Sequence, residues 1–153
     1  MSLSAGDDYI LLTDNGTVAV IGDLNGRVGI ETDFISGEAI DAQLQDKSYF
    51  INYVNDIEFQ KSHFQDTKPP NNFGRRMLQL CMSTGLRICN GRVGQDSGTI
   101  TFNNKNGCST IDYLLISSNE MFNVVKSFSV CKFNQYSCHA PIEAIFFILK
   151  VTK

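Results

Sequence analysis

The second half of the chain is a series of short apolar segments that are rich in β-branched and aromatic residues. Five of them follow one another, separated by stretches that contain Gly, Asn or Ser: LRICN (86–90), GTITF (98–102), TIDYLLI (110–116), NVVKSFSV (123–130) and PIEAIFFILKV (141–151). Segments of this length and composition are typical of β-strands joined by turns. The second half is therefore predicted to consist mainly of sheet.

The first half contains one comparable run and one long polar stretch. The run TVAVIG (17–22) is apolar and β-branched, and turn-forming residues lie on both sides of it. This pattern is typical of a buried central strand. Charged and polar residues dominate residues 31–68, with scattered aromatic and aliphatic side chains. Loops and short helical turns are predicted there.

One segment has helical periodicity. The apolar residues of FGRRMLQLCMSTG (73–85) recur at helical spacing: Phe73, Met77, Leu80 and Cys81. Gly85 stands where a helix would end, and Pro69-Pro70 marks a boundary between the two halves of the chain. A strand, a polar connection, a helix and then a run of strands favour an α+β fold in which a sheet packs on a sheet or on a helix.

The composition is that of an ordinary globular domain. With 153 residues and 42% hydrophobic side chains, the chain is long enough to bury one core, and simple disorder is excluded. The formal net charge of -3 and the pI near 5.3 give no basic field of the kind that marks nucleic-acid binders. Phosphate chemistry stays open, since a divalent cation can supply the positive charge that the side chains lack.

The cysteines and the N-terminus bear on the cellular compartment. Five cysteines occur without a CxxC pair, which argues against a zinc module and a disulfide framework. The N-terminal residues have no basic region and only a short apolar run at 9–12, so neither a signal peptide nor a membrane span is predicted. We therefore expect a reducing, intracellular setting. In that setting the sequon Asn15-Gly16-Thr17 is better interpreted as an Asn-Gly turn.

Two polar residues follow the predicted central strand. Asp23 and Asn25 lie two positions apart, so in extended geometry their side chains would project from the same face of the sheet. The carboxylate could orient a water molecule or hold a hard cation, and the carboxamide could contact a phosphate. Asp-x-Asn-Gly is also ordinary turn chemistry. Both interpretations stay open at this point.

A further carboxylate lies within an apolar segment. Asp112 is flanked by apolar residues in TIDYLLI, and a buried carboxylate needs a partner. Either backbone groups satisfy it, or it holds an imidazole in one tautomer. The chain has two histidines. His139, at the start of the last predicted strand, is a better partner than His63, which lies in the polar stretch.

These segments, taken in order, resemble the second half of the endonuclease/exonuclease/phosphatase superfamily. The matching segments are GDLNGRVG (22–29), NGR (90–92), GTITF (98–102), STIDYLLIS (109–117) and SCHAPIEA (137–144). The closest likeness is to the endonuclease domains of LINE-type (non-LTR) retrotransposons, which read GDFNAR-G, a helix with LLDLC-like residues, G-x-TF, S-x-IDY and SDH-P. MLQLCMSTGLRICNGR matches the helix and the strand after it, so the resemblance covers nearly the whole chain.

The resemblance implies a fold and a reaction. The fold would be part of a four-layered α/β/β/α sandwich of the DNase I type, with a metal-dependent phosphodiesterase site at one end. The cofactor would be Mg²⁺ or Mn²⁺. The partner would be nucleic acid, DNA above all, and no membrane would be involved. The setting would be intracellular and, for this subgroup, nuclear.

The resemblance also implies roles for individual residues. Asp23 would activate the attacking water and bind the metal, and Asn25 would contact the scissile phosphate and the metal. Asp112 would orient His139, which would stabilise charge on the phosphoryl group and lie at the metal. Weaker substrate contacts are implied for three further residues: Arg92, Thr101 and Phe102.

Two departures from the family pattern shape the expected function. The SDH motif stands here as Ser137-Cys138-His139, and cysteine is a soft ligand that binds magnesium poorly. The family's N-terminal half, with its early Asn, metal-binding Glu and Tyr/Arg pair, has no counterpart. We therefore expect residues 1–153 to form a partial domain that starts just ahead of the helix leading into TVAVIG.

Two functions from different classes follow. One is a nuclease of impaired activity. The alternative is an inactive remnant that binds nucleic acid or protein. Removal of half of the sandwich would leave exposed sheet edges, through which the chain would associate.

Overall fold

The computed structural model describes residues 2–5, 9–14, 17–34, 63–117 and 121–147. Within these ranges the elements are, in chain order, β1 Ser2–Ala5, β2 Tyr9–Asp14, β3 Thr17–Asp23, α1 Asn72–Thr84, β4 Leu86–Ile88, β5 Phe102–Asn104, β6 Gly107–Ser109, β7 Asp112–Ser117, α2 Met121–Val124, β8 Val125–Val130 and β9 Ile142–Phe146. All pairings between these strands are antiparallel. The fold is mixed helix and sheet, in agreement with the predicted α+β class. Neither described helix has the length and hydropathy needed to cross a membrane.

Five strands form the main sheet, in the order β1-β2-β3-β7-β4. β3 lies at its centre, as TVAVIG predicts, because its β-branched side chains suit a strand covered on both faces. β7 pairs with β3 on one side and with β4 on the other. It is buried from Asp112 to Ile116, so the start of this strand is held deep in the molecule.

The main sheet separates two apolar cores. Successive residues of β7 point to opposite faces, so Leu114 belongs to one core and Leu115 to the other. Phe128 of β8 closes the first core and Met77 of α1 closes the second. Burial of each such side chain stabilises the fold by about 1.5–3 kcal/mol. The layers are therefore α1, the five-stranded sheet and the β8–β9 pair.

The helix α1 begins and ends where its sequence signals lie. The Asn71 side chain accepts a hydrogen bond from the Gly74 N–H, and Gly85, at φ 76°, ends the helix in the left-handed region. The predicted apolar face is partly wrong, since Phe73 is 60% exposed and Leu80 is 47% exposed. The buried face is displaced by about one position and consists of Gly74, Met77, Leu78 and Cys81. Gly74 lies on it because the loop after β3 packs directly against this glycine.

The segment before β3 also differs from the expectation. Two strands lead into β3, where the resemblance implies a helix. The apolar run at 9–12 forms part of β2, whose residues pair with residues 17–22 of β3. An apolar run too short for a stable helix gains more from this sheet pairing.

Several predicted strands are shorter than their apolar segments. In GTITF only Phe102 belongs to a strand, since Gly98 has φ 71° and the Asp96 side chain accepts the Thr99 N–H. LRICN forms a strand only as far as Ile88, and residues 123 and 124 of NVVKSFSV end the short helix α2. In the last segment the strand is Ile142–Phe146.

Some sequence predictions lie outside the described residues. They are the Asn15-Gly16 turn, most of the polar stretch 31–68 and the end of the last apolar segment. The described parts of the polar stretch, 31–34 and 63–68, contain no helix or strand.

Candidate metal centre

Three of the predicted site residues meet in space. Asp23, Asp112 and His139 each offer a ligand atom, and these atoms lie within 4.8 Å of one another. They come from the end of β3, the start of β7 and the connection between β8 and β9. A carboxylate pair with one imidazole is a common set of ligands for a divalent cation. The cluster is therefore a candidate metal centre.

Sheet register places the two carboxylates together. Asp23 and Asp112 are directly opposite each other in the β3–β7 pairing. Residues opposite in an antiparallel pair share one face of the sheet, and like charges in that position are destabilising. The Leu24 N–H donates to the Ile111 carbonyl, 3.0 Å away, which continues the pairing beyond Asp23. The fold thus holds two negative charges next to each other.

Backbone pairing also fixes the position of His139. Its neighbours on each side bond to the β5 region: the Asn103 N–H donates to the Cys138 carbonyl, and the Ala140 N–H donates to the Thr101 carbonyl. Phe102 therefore lies opposite His139 in an isolated bridge. Their rings are in edge-to-face contact, with centroids 4.9 Å apart.

The imidazole lies between the two carboxylates. His139 Nδ1 is 3.1 Å from each carboxylate oxygen of Asp112, and Nε2 is 3.9 Å from Asp23 Oδ2. An ionised Asp112 accepts the Nδ1–H, which fixes the tautomer and directs Nε2 toward Asp23. The His139 side chain is 35% exposed and that of Asp112 is 10% exposed. Nε2 and the Asp23 carboxylate are thus the parts of the cluster that face a ligand.

Electrostatics at Asp112 favour the binding of positive charge. Burial is the largest influence, and it raises the pKa of this carboxyl above its ordinary value. The hydrogen bonds with Thr101 and His139 act in the opposite direction, and the charge of Asp23 raises the pKa further. A cation held nearby at Asp23 and His139 would compensate this cost.

Asn90 is a supporting residue that motif matching did not assign to the site. Its side chain is fully buried. Nδ2 donates to the Asp112 carbonyl at 3.0 Å, and Oδ1 accepts the Leu114 N–H at 3.1 Å. The carboxamide thus continues the hydrogen bonding of β4 along β7 and holds the backbone at Asp112. The available signal was an Asn directly after an apolar strand.

Thr101 supports the same backbone from the other side. Its hydroxyl accepts the N–H groups of Ile111 and Asp112, each at 3.0 Å, and the residue has no exposed surface. The implied substrate contact is therefore corrected, because this side chain cannot reach a bound molecule. Phe102, by contrast, is partly exposed and lies beside His139.

Arg92 does not lie at the site surface. Its guanidinium bonds to both carboxylate oxygens of Asp33 at 2.6 Å, and its side chain is 1% exposed. The same guanidinium lies 5.8 Å from the centre of the Phe34 ring. The implied phosphate contact is corrected for this physical reason: the charge is already paired in the interior.

Asn25 has a different relation to Asp23 from the one expected. β3 ends at Asp23, and Asn25 has φ 50°, so the extended geometry that would align the two side chains is absent. The Asn25 N–H donates to Asp23 Oδ1 at 2.8 Å, which is the turn interpretation of this motif. Asp23 Oδ2 still faces His139. The Asn25 side chain is exposed and makes no hydrogen bond to any other described residue.

The loop after β3 is tied to the start of α1. Asn71 Oδ1 accepts the N–H groups of Arg27 and Gly74, and Asn71 Nδ2 donates to the Asn25 carbonyl at 2.9 Å. One carboxamide thereby caps the helix and anchors the loop. The motif GDLNGRVG is held rigidly beside the cluster.

No family model, curated protein or solved structure gives a significant match to this chain. The fold and the site define its class: a mixed helix and sheet protein with a candidate carboxylate and histidine centre for a cation. The motif resemblance beyond that class is a hypothesis.

Proposed function

We propose that this chain is a phosphodiesterase that depends on a divalent cation and cleaves nucleic acid, with DNA as the substrate. One observation carries the proposal: Asp23, Asp112 and His139, which are far apart in the sequence, supply ligand atoms within 4.8 Å of one another. The motif order supports it, since the resemblance assigns these three residues, together with Asn25, to catalysis.

The donor set suits Mg²⁺ or Mn²⁺. Asp23 Oδ2 and His139 Nε2 are the groups that would hold the ion, with Asp112 behind the imidazole. Mn²⁺ accepts an imidazole ligand more readily than Mg²⁺, which prefers oxygen. When bound, the cation polarises a phosphoryl oxygen and stabilises its developing charge.

The chain's own groups have separate tasks. Asp112 accepts the Nδ1–H of His139 and keeps the ring in one orientation. His139 would stabilise charge on the phosphoryl group through the cation that its Nε2 lone pair would hold. Asp23 Oδ2 accepts a hydrogen bond from the attacking water. The exposed carboxamide of Asn25 is free to donate to the phosphate, and the Phe102 ring forms the adjacent wall.

The finer fold assignment is part of this proposal. A helix, a five-stranded sheet and a two-stranded sheet occur in layers among the described residues, and this order is compatible with a portion of a DNase I-like α/β/β/α sandwich. β1 and β4 are the outer strands of the described sheet. The edge of β4 is buried and bonded to Asp33 and Arg92, so the edge of β1 is the proposed surface of association. We propose a nuclear setting, which the resemblance to retrotransposon endonucleases favours.

A second candidate function is a remnant that binds DNA without cutting it. The observation in its favour is Cys138, an exposed thiol next to His139 at the position where the resembling family has a carboxylate. A centre with two carboxylates supplies fewer hard ligands for Mg²⁺ than a centre with three.

Plasmid nicking in Mg²⁺ and in Mn²⁺ tests the proposal. We expect Asp23→Asn and His139→Ala to lower the nicking rate about 100-fold or more, whereas His63→Ala, at the exposed second histidine, leaves it unchanged. Cys138→Asp is expected to raise the rate in Mg²⁺. Equal cleavage by all variants would assign the activity to a contaminant and overturn the proposal. Nicking only after Cys138→Asp would support the remnant.

A further inference from the structure

An open pocket of about 190 Å³ lies beside the metal centre. Arg27 and Lys68 form one side of it, and the β5–β6 hairpin, from Phe102 to Ser109, forms the other. The two cations come from separate segments, the loop after β3 and the connection before α1. They meet here although the whole chain is acidic.

Both cations are held in position by backbone carbonyls. Arg27 Nε donates to the Pro69 carbonyl at 2.8 Å, and its main chain is anchored by Asn71. Lys68 Nζ donates to the Cys108 carbonyl, also at 2.8 Å. These bonds restrict the two side chains before any ligand arrives, which lowers the entropy cost of binding.

The bonds to carbonyls use few of the N–H donors of Arg27 and Lys68, and they do not neutralise the charge of either side chain. Arginine has five N–H donors and lysine has three, and one from each is used. Within the described residues, neither side chain forms an ion pair with a carboxylate. Two uncompensated cations that converge on one pocket favour an anion with several acceptor oxygens.

The pocket borders the candidate metal centre at Phe102. Phe102 lines the pocket, and its ring is in contact with the His139 imidazole. The loop that begins at Asp23 carries Arg27 four positions later. A strand with its scissile phosphate at the metal centre and its backbone running past Phe102 would place a further phosphate between Arg27 and Lys68.

We infer that this pocket is a second phosphate site, which holds a non-reacting phosphate of the nucleic-acid strand next to the scissile one. The inference rests on the proposed function for the identity of the strand. Arg27 and Lys68 are positioning residues here, because they contact the substrate away from the reacting atoms. Their contribution would align the strand with the metal centre.

Binding of a fluorescein-labelled DNA duplex, followed by fluorescence anisotropy in Ca²⁺, tests the pocket without cleavage. We expect Arg27→Gln and Lys68→Gln each to raise Kd about tenfold, the loss expected for a charge-assisted hydrogen bond. Each should also make the plot of log association constant against log salt concentration shallower, by about 1 unit of slope. Lys126→Gln, on the exposed side of β8, is the matched control and should change neither quantity.

Alkylation of cysteines tests the pocket in the wild-type protein, without any substitution. Cys108 lines the pocket, whereas Cys131 is exposed outside it. We expect the duplex to protect Cys108 from iodoacetamide and to leave Cys131 reactive, as measured by mass spectrometry. Inorganic phosphate in place of DNA should protect Cys108 only weakly. Protection by phosphate alone at equal concentration would identify a site for small anions and overturn the inference.

The outcomes separate this inference from the nuclease proposal. If the wild type nicks DNA and both pocket variants keep its Kd and KM, the inferred phosphate site is wrong and the nuclease proposal is unaffected. Loss of binding in the pocket variants of a chain that does not nick would support the pocket and overturn the nuclease. A wild type that binds no duplex at low salt would overturn the pocket.

Discussion

At the scale of single residues, Asp112 combines a stabilising and a destabilising role. Its backbone is held by Asn90 and Thr101, while its carboxyl is buried opposite Asp23. The raised pKa means that the folded state binds the proton more tightly than the unfolded chain does. As pH rises, the unfolded chain therefore loses this proton first, and the free energy of unfolding falls.

We expect Asp112→Asn to be more stable than the wild type at neutral pH. The neutral amide removes the cost of a buried charge and keeps one acceptor for His139. The advantage should shrink as pH falls toward about 4, near the ordinary pKa of Asp, because both states of the wild type then hold the proton. Urea midpoints across a pH series measure this. A variant that is less stable, by a margin that grows toward neutral pH, would contradict the assignment.

Asn90 gives a second prediction at this scale. Asn90→Ala would leave the Asp112 carbonyl and the Leu114 N–H without their side-chain partner in a buried position. We expect a loss of about 2–3 kcal/mol in the free energy of unfolding, measured by urea denaturation. Asn103→Ala, at an exposed carboxamide in β5, should stay within about 0.5 kcal/mol. Equal effects of the two changes would refute the supporting role of Asn90.

Residue types and their order were enough to predict the clustered residues but not their neighbours. Asp23, Asp112 and His139 are ionisable residues in or next to apolar segments, where such side chains are easily recognised. The burial of Arg92 depends on Asp33, 59 positions away, and no local pattern announces that pair. The burial of Thr101 could not be predicted for the same reason, since its hydroxyl accepts hydrogen bonds from backbone groups at the start of β7.

At the scale of elements, the junction of α1 with the loop after β3 determines how GDLNGRVG is presented. Asn71→Ala would remove the helix cap and both side-chain bonds to the loop. We expect a loss of about 2 kcal/mol, at the upper end for an N-cap, measured by thermal and urea unfolding. Asn72→Ala is the adjacent control, and a change within about 0.5 kcal/mol is expected there. Similar losses for both variants would contradict the described cap.

Gly74 tests the same junction from the helix side. A Cβ at this position would lie 1.9 Å from the Arg27 carbonyl oxygen, so the loop or the helix would have to move. We expect Gly74→Ala to destabilise the chain by about 1–3 kcal/mol, although alanine is the better helix former by about 1 kcal/mol. Gln79→Ala, at an exposed position of α1, is the control. A stabilised Gly74→Ala variant would show that the loop does not pack on the helix.

A helix or strand could be predicted where the residues that determine it lie within its own segment. α1 could be predicted because its periodicity, its cap and Gly85 lie within the segment itself. The strand predicted over GTITF was wrong for most of its length, because Gly98 and the Asp96 side chain turn the chain where composition alone favours a strand. The lead-in strands were missed since their partner is β3, and pairing is not visible in a single segment.

At the scale of the whole molecule, the topology creates the site. β7 inserts between β3 and β4, and this long-range pairing places Asp112 opposite Asp23. The α+β class could be predicted from the order of segments, whereas the strand order could not, because many orders bury the same apolar faces. The His139 position depends in turn on the backbone bonds to β5.

Paramagnetic NMR with Mn²⁺ tests the central claim, that Asp23, Asp112 and His139 form one cation centre. The chain has only two histidines, so His63, outside the cluster, serves as an internal control. We expect substoichiometric Mn²⁺ to broaden the His139 imidazole signals more strongly than those of His63, because broadening falls steeply with distance from the ion, and Asp23→Asn to abolish the broadening. Equal broadening of both histidines, or broadening of His139 that persists in Asp23→Asn, would contradict the claim.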